Sequence, residues 1–194
     1  LKKKRIAILI SGRGSNMEAI VRQAQGGILQ DCCEVVLALS NKAGAKGLES
    51  AAYLGIPVVC IESKGKTREA FDQEVVDYLK PFNLDYIILA GFMRILSPAL
   101  IRNYRNRIIN IHPADTREFQ GVGAYEWAFR NRKSSTMITV HFVDEGVDTG
   151  QVIAREEVDL RGADTLEEVE YRGLAVEHRF YSQVLRRVFS TDGD

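Results

Sequence analysis

The sequence predicts an α/β fold: a Rossmann-like, mostly parallel sheet flanked by helices, extended by an antiparallel pair and followed by a long C-terminal helix. Three observations carry this. Between residues 5 and 111, short β-rich apolar runs alternate with segments of helical periodicity, the pattern of parallel strands joined by right-handed crossovers. Beyond Gly121, two longer strand-like runs flank a turn-rich segment, most simply an antiparallel hairpin that extends the sheet. Residues 165–189 then carry an apolar stripe at steps of three and four.

In chain order, a first strand at 5–10 leads into a helix at 15–25, a second at 35–40 into a helix at 45–54, and a third at 57–61 into a helix at 67–79. A fourth strand at 86–90, a helix near 97–104 and a fifth strand at 107–111 follow. The unbroken apolar runs at 6–10 and 86–90 indicate strands covered on both faces, as a doubly wound sheet requires. The hairpin strands fall at 136–144 and 151–158, and the final stripe runs through Leu166, Val169, Leu174, Tyr181, Val184 and Val188. No repeat, low-complexity tract or linker separates a second domain, so residues 1–194 are read as one.

Composition agrees. A chain of 194 residues buries roughly 70% of its unfolded surface and needs no metal or disulfide staple. Lys plus Arg and Asp plus Glu balance at 26 each, so no general attraction to nucleic acid or a membrane surface is expected and any anion must be bound locally. Cys32, Cys33 and Cys60 show no metal-ligand spacing, and an odd number of cysteines without a signal peptide suits a reducing, cytoplasmic compartment. No apolar run approaches the roughly 18 residues of a membrane span, and Leu1 with the basic residues after it reads as a trimmed terminus.

The residues that carry chemistry cluster at the predicted carboxyl edge of the sheet, where α/β folds place their ligands. Ile108 and Ile109 run into Asn110, Ile111, His112 and Pro113. Strand alternation puts the Asn110 amide and the His112 imidazole on one face, and Pro113 stops the ladder. This is the pattern of a catalytic pair.

The first strand runs into Ser11, Gly12, Arg13, Gly14, Ser15 and Asn16 at a helix amino terminus, where free N–H groups and the helix dipole favour an anion such as phosphate. The stretch is neither the dinucleotide fingerprint nor the Walker loop, and simple helix capping by Ser15 or Asn16 is the alternative reading. Gly91, Phe92, Met93, Arg94, Ile95 and Leu96 follow the fourth strand and suit a flat heteroaromatic ligand, with Met93, Ile95 and Leu96 as core residues the alternative. In the loop 144–150, Asp144 and Glu145 read as solvated. Asp148, if it folds back to His112, favours the imidazolium and orients the ring as a general acid. Glu177 falls on the apolar stripe of the last helix, where a carboxylate is costly unless paired or used on a ligand; a partly exposed stripe edge is the alternative. His141 and His178 are read as structural, and neither a metal site nor a nucleophilic triad is indicated.

Together, Ser11 to Asn16, Ala90 to Leu96, Asn110 to Pro113 and Val140 to Gly150 resemble the folate-dependent glycinamide ribonucleotide (GAR) formyltransferases of purine biosynthesis, also called phosphoribosylglycinamide formyltransferases, over nearly the whole chain. The resemblance implies the formyltransferase fold, with residues 1–105 as a nucleotide-binding half and 106–194 as a folate-binding and catalytic half. It implies Asn110, His112 and Asp148 as the catalytic triad. It implies Gly14, Ser15, Asn16, Leu174, Ala175, Val176 and Glu177 as contacts for the ribonucleotide. For the co-substrate 10-formyltetrahydrofolate it implies Arg68, Met93, Arg94, Ile95, Leu96, Asn110, Asp144, Glu145, Gly146, Val147 and Asp148. The implied reaction passes the formyl group to the GAR amine, with Asn110 and a protonated His112 holding the oxyanion and Asp148 raising the His112 pKa. No metal is implied, and the protein is expected as a monomer or homodimer.

One stretch departs from the family's pattern. After His112 and Pro113 the family usually reads serine, two leucines and proline, then an aromatic, proline and glycine. Here stand Ala114, Asp115, Thr116, Arg117, Glu118, Phe119, Gln120 and Gly121, and the histidine common near Gly123 or Tyr125 is missing. A formyltetrahydrofolate deformylase resembles the chain less, because such enzymes usually carry an amino-terminal regulatory domain and lack the glycine-rich loop. A methionyl-tRNA formyltransferase normally has a further carboxyl-terminal domain. A catalytically idle sensor and a generic NAD-binding domain are the readings from other classes.

Overall fold

The computed structural model describes residues 2–191, and the reading placed on Leu1 lies outside them. Among the described residues, β1 (Lys4–Ile10), β2 (Cys33–Ser40), β3 (Val58–Cys60), β4 (Tyr86–Leu89), β5 (Ile108–His112), β6 (Ser135–Phe142) and β7 (Val152–Asp159) form one sheet in the order β3-β2-β1-β4-β5-β6-β7. β1 to β5 pair in parallel, whereas β6 and β7 continue the sheet antiparallel. Six helices accompany them: α1 (Ser15–Gly26), α2 (Lys46–Tyr53), α3 (Arg68–Leu79), α4 (Pro98–Asn103), α5 (Ala124–Arg130) and α6 (Leu166–Thr191). No helix among the described residues is long and apolar enough to cross a membrane.

The apolar run of β1 is buried on both faces because helices cover both. Ile6, Ile8 and Ile10 pack with Met17, Ile20 and Val21 of α1 and Tyr181, Val184 and Leu185 of α6. Ala7 and Leu9 point the other way, into a layer with Phe71, Val75 and Leu79 of α3 and Leu100 of α4. Strand order reverses beside β1, so the loops after β1 and β4 open a crevice between them, the switch point where such sheets bind ligands. Backbone and side chain hold the two loops together: Ser11 N donates to Gly91 O at 3.1 Å, and Met93 N donates to Ser11 Oγ at 2.8 Å.

α6 has 26 residues, about 39 Å of helix, and is pinned at its middle. The fully buried Tyr181 places its hydroxyl 3.0 Å from Leu89 O and 2.9 Å from Ile109 O, sharing one proton between the carbonyls of β4 and β5. Glu177, one turn earlier, is thereby fixed relative to the sheet.

The structure differs from the sequence reading in two places. The buried face of α6 runs through Val169, Gly173, Glu177, Phe180, Tyr181, Val184, Leu185 and Phe189, with Leu174 and Val188 only half-buried. The predicted stripe took the large apolar residues and passed over the glycine that turns inward. α5 was not anticipated: it is one seven-residue segment without a side-chain cap, between β5 and β6.

Candidate active site

β5 ends at His112, ahead of Pro113, and delivers Asn110 and His112 on one face. The antiparallel β6 sets His141 directly opposite Asn110, and Asn110 Nδ2 lies 3.3 Å from His141 Nε2. The loop after β6 then folds back over the strand end. Gly150 permits this, since a Cβ there would fall 1.7 Å from the carbonyl oxygen of Phe142. Asp148 adopts a left-handed backbone, φ 53°, and turns its carboxylate inward. Its Oδ2 lies 3.4 Å from His112 Nδ1, and its Oδ1 lies 3.4 Å from His141 Nε2 and 3.5 Å from Asn110 Nδ2. Gly121 N donates to Oδ2 at 2.8 Å. Two side chains from one strand, a third from its neighbour and one backbone amide thus meet around the Asp148 carboxylate.

The carbonyl partners set the tautomers. His112 Nε2 lies 2.9 Å from Phe119 O, which only accepts, so Nε2 carries the hydrogen and Nδ1 faces Asp148 with a lone pair. His141 Nδ1 lies 2.8 Å from Phe142 O, and its Nε2 faces Asn110 and Asp148. Burial pushes the His112 imidazole below its ordinary value, and the Asp148 charge and the Phe119 carbonyl pull only partly against it. Desolvation of the ring outweighs the neighbouring carboxylate. Burial also pushes the Asp148 carboxyl up, but the facing His141 ring and the Gly121 amide bring it below its ordinary value. Near neutral pH an ionised carboxylate therefore faces a neutral His112 ready to accept a proton at Nδ1.

The atypical stretch 114–121 is anchored by groups of its own. Arg117 grips both oxygens of Asp115, at 3.0 Å from Nε to Oδ1 and 2.6 Å from Nη2 to Oδ2. This pairing holds the Asp115 carboxyl at about 2, with Arg155 of β7 lying 3.8 Å away. Thr139 Oγ1 donates to Ala114 O at 2.7 Å. Phe119 stacks parallel to His112, ring centroids 6.4 Å apart, and leans on Trp127 of α5. An ion pair and an aromatic stack thus hold the Phe119 carbonyl against the His112 ring.

At the other end of the crevice, Gly14 is the N-cap of α1 with φ 74° and no side-chain cap bond, so neither Ser15 nor Asn16 caps the helix. A Cβ on Gly14 would sit 2.9 Å from Gly47 Cα, and Gly47 N donates to Gly12 O at 3.0 Å. Two glycines thus let the amino end of α2 press against the loop. Asn16 is buried and donates from Nδ2 to Glu177 Oε2 at 2.6 Å, while its Oδ1 is buried without a partner. The second carboxylate oxygen of Glu177 accepts from the Tyr125 hydroxyl. Burial raises the Glu177 carboxyl above its ordinary value, opposed by the Tyr125 and Asn16 hydrogen bonds. Of the expected segment Leu174 to Glu177, only Glu177 reaches Asn16; Ala175 lies on the exposed face of α6, and Leu174 and Val176 are half-buried.

After β4, Met93 and Ile95 are 59% and 51% exposed, so these two are not core, whereas Leu96 is buried among α3 and α4 residues. Arg94 lies 4.4 Å over the Phe71 ring with its Nε buried and unpartnered. Arg68, at the start of α3, is exposed and 3.2 Å from Glu69. In the last loop, Asp144 is exposed but accepts from Gly146 N at 3.0 Å and Thr149 Oγ1 at 2.6 Å, which shapes the turn that aims Asp148. Glu145 and Gly146 are exposed, and Val147 is 38% exposed. Sequence reasoning missed His141, Phe119, Tyr125 and Gly47. Only His141 carried a signal, its place beside apolar residues on a strand.

The fold and this cluster define a Rossmann-like α/β protein whose Asn, His and Asp side chains gather at the carboxyl edge of the parallel strands. The chain belongs to the formyl transferase family, which it matches over residues 4–185. It is similar to the phosphoribosylglycinamide formyltransferase of Bacillus subtilis, 37% identical over 95% of this chain and 94% of that one. The crystal structure of phosphoribosylglycinamide formyltransferase from Bacillus halodurans superposes with a TM-score of 0.91 at 42% identity, covering 96% of each chain. The trifunctional purine biosynthetic protein adenosine-3 of Chironomus tentans is 41% identical over 98% of this chain, which spans only 14% of that protein's length.

Proposed function

We propose that this chain transfers the formyl group of 10-formyltetrahydrofolate to the amine of glycinamide ribonucleotide, giving formyl-GAR and tetrahydrofolate in purine biosynthesis. The observation that carries this reading is the meeting of Asn110 and His112 around the Asp148 carboxylate, in a fold with a glycine-rich helix start. Gly14, Ser15 and Asn16 offer the amino terminus of α1 to the phosphate, and Glu177 offers its carboxylate to the ribose. Met93 and Ile95, in the loop after β4, and Val147, next to Asp148, are exposed apolar side chains and suit the flat face of a folate, with Arg94 between the first two. The folate co-substrate supplies the formyl group and retains the leaving nitrogen.

Chemistry follows from the tautomers. As the amine attacks the formyl carbon, negative charge grows on the formyl oxygen, and the Asn110 amide donates to it. The attacking nitrogen becomes acidic. Asp148 and His112 Nδ1 form a carboxylate–imidazole pair that takes up its proton, and the imidazolium so formed is held by Asp148 at the moment it is needed. The same pair returns a proton to the departing folate nitrogen. A neutral resting His112 suits this sequence, because a group already protonated has no room for the amine's proton.

Formyl transfer from 10-formyltetrahydrofolate, assayed with and without GAR in wild type and His112→Ala, tests the proposal. Tetrahydrofolate that forms only with GAR and only in wild type is expected. Product without GAR would instead indicate a hydrolase, and no product in wild type a binding protein.

A further inference from the structure

Tyr125 has no counterpart among the side chains expected at the site, yet it closes a buried polar cluster with Glu177 and Asn16. Three elements meet there: Asn16 from α1, Tyr125 from α5 and Glu177 from α6. The fit is cut into the helix. A Cβ at Gly173, one turn before Glu177, would lie 2.1 Å from Tyr125 Oη and 2.2 Å from its Cζ, so only the missing side chain lets the phenol reach the carboxylate.

The cluster has more acceptors than donors. An ionised carboxylate offers about four lone-pair directions, and Glu177 has one donor on each oxygen. Asn16 Oδ1, also buried, has none. A buried acceptor without a donor is costly, so the cluster is built to receive donors from a ligand. With Asn16 on Oε2 and Tyr125 on Oε1, each oxygen keeps an open acceptor position, so the carboxylate can receive one more donor on each side, the number that a pair of hydroxyl groups supplies.

We propose that Tyr125 is a specificity-determining positioning residue for the ribonucleotide, fixing the Glu177 carboxylate so that its two open acceptor positions meet the vicinal hydroxyls of a ribose. Tyr125 acts through Glu177 and touches no reacting atom. The inference rests on the reading of the activity given above.

The test compares GAR with its 2′-deoxy analogue in wild type, Tyr125→Phe and Gly173→Ala. In Tyr125→Phe, the KM for GAR is expected to rise about tenfold, the loss typical of a hydrogen bond to a charged group. The ratio of kcat/KM for GAR over the deoxy analogue falls by a similar factor, while kcat and the KM for the folate change less than about twofold. Gly173→Ala, which displaces the phenol without removing it, gives the same pattern. An unchanged ratio in both variants overturns the assignment, and so does a parallel loss of kcat and both KM values with lowered melting temperature, which marks Tyr125 as packing alone. A wild type that transfers no formyl group overturns the reading of the activity itself, so the two failures are distinct.

Discussion

Asp148 Oδ2 lies 3.4 Å from His112 Nδ1, and that nitrogen is the one left without a hydrogen by the bond from Nε2 to the Phe119 carbonyl. Burial depresses the His112 pKa and the Asp148 charge partly restores it. Asp148→Asn removes the restoring charge, so His112 titrates lower in the variant than in wild type, as read from its Cε1 proton shift by NMR. Turnover should fall about 10²- to 10⁴-fold with little change in folate affinity. An upward move of the His112 titration, or unchanged turnover, would remove Asp148 from the proposed role.

The same depression makes stability depend on pH. Because the folded His112 binds its proton more weakly than an ordinary imidazole, its full contribution is present above about pH 6.5 and is lost as pH falls through the depressed value. In His112→Asn this segment of the pH–stability curve should flatten. Denaturant melts between pH 5 and 8 would show it, and a curve parallel to wild type would count against a buried neutral ring.

Asn110 faces Asp148, His141 and, in the proposed mechanism, the growing oxyanion. Asn110→Ala is therefore expected to lower kcat about 10²- to 10³-fold, the usual loss of one preorganised donor. The KM values should move far less. A loss confined to KM would place Asn110 in binding rather than chemistry.

For Glu177 the sign is opposite. Its carboxyl is raised by burial, so the folded state favours the proton, and stability present below about pH 4.5 is lost as pH rises through the raised value. Glu177→Gln keeps the shape and cannot ionise. Its melting temperature relative to wild type should increase between pH 4.5 and 8, while GAR affinity drops, as expected where a costly buried group serves a ligand. A difference independent of pH would mean that Glu177 stays protonated.

Gly14 is held at φ 74° with Gly47 Cα 2.9 Å from where a Cβ would stand. Gly14→Ala should cost about 1–3 kcal/mol of stability from the left-handed backbone and the backbone contact. It should also weaken phosphate-bearing ligands more than folate. Chemical denaturation and ribonucleotide titration measure the two effects. An alanine variant as stable as wild type would show that the loop has another conformation open to it.

Much of this site was legible because its signals are local. Asn110 and His112 share a face by strand alternation, Pro113 marks the strand end, and the glycines before α1 mark a helix start. What was not legible depends on register and on distant approach. His141 faces Asn110 because β6 pairs with β5 at that register, and one residue of slip would turn it away. Asn16 and Glu177 bond across 161 positions. Gly173 lay outside the predicted stripe, and only the fold shows it as the space that Tyr125 occupies. The stretch 114–121 looked like a loss of pattern, whereas Asp115 and Arg117 supply a local ion pair that holds the loop in place.

By itself the sequence determined the class of fold and pointed to the carboxyl edge, with Asn110 and His112 on one strand face there, since period, turn chemistry and motif order are written along the chain; that Asp148 folds back to meet them was left to the tertiary structure. Only the tertiary structure set the direction in which the His112 pKa moves, because burial is a property of everything packed around the ring and here outweighs the one carboxylate beside it. It alone decided which residues of α6 face inward and which side chain completes the Glu177 cluster. Those outcomes turn on contacts between elements far apart in the chain, and no local pattern encodes their distances.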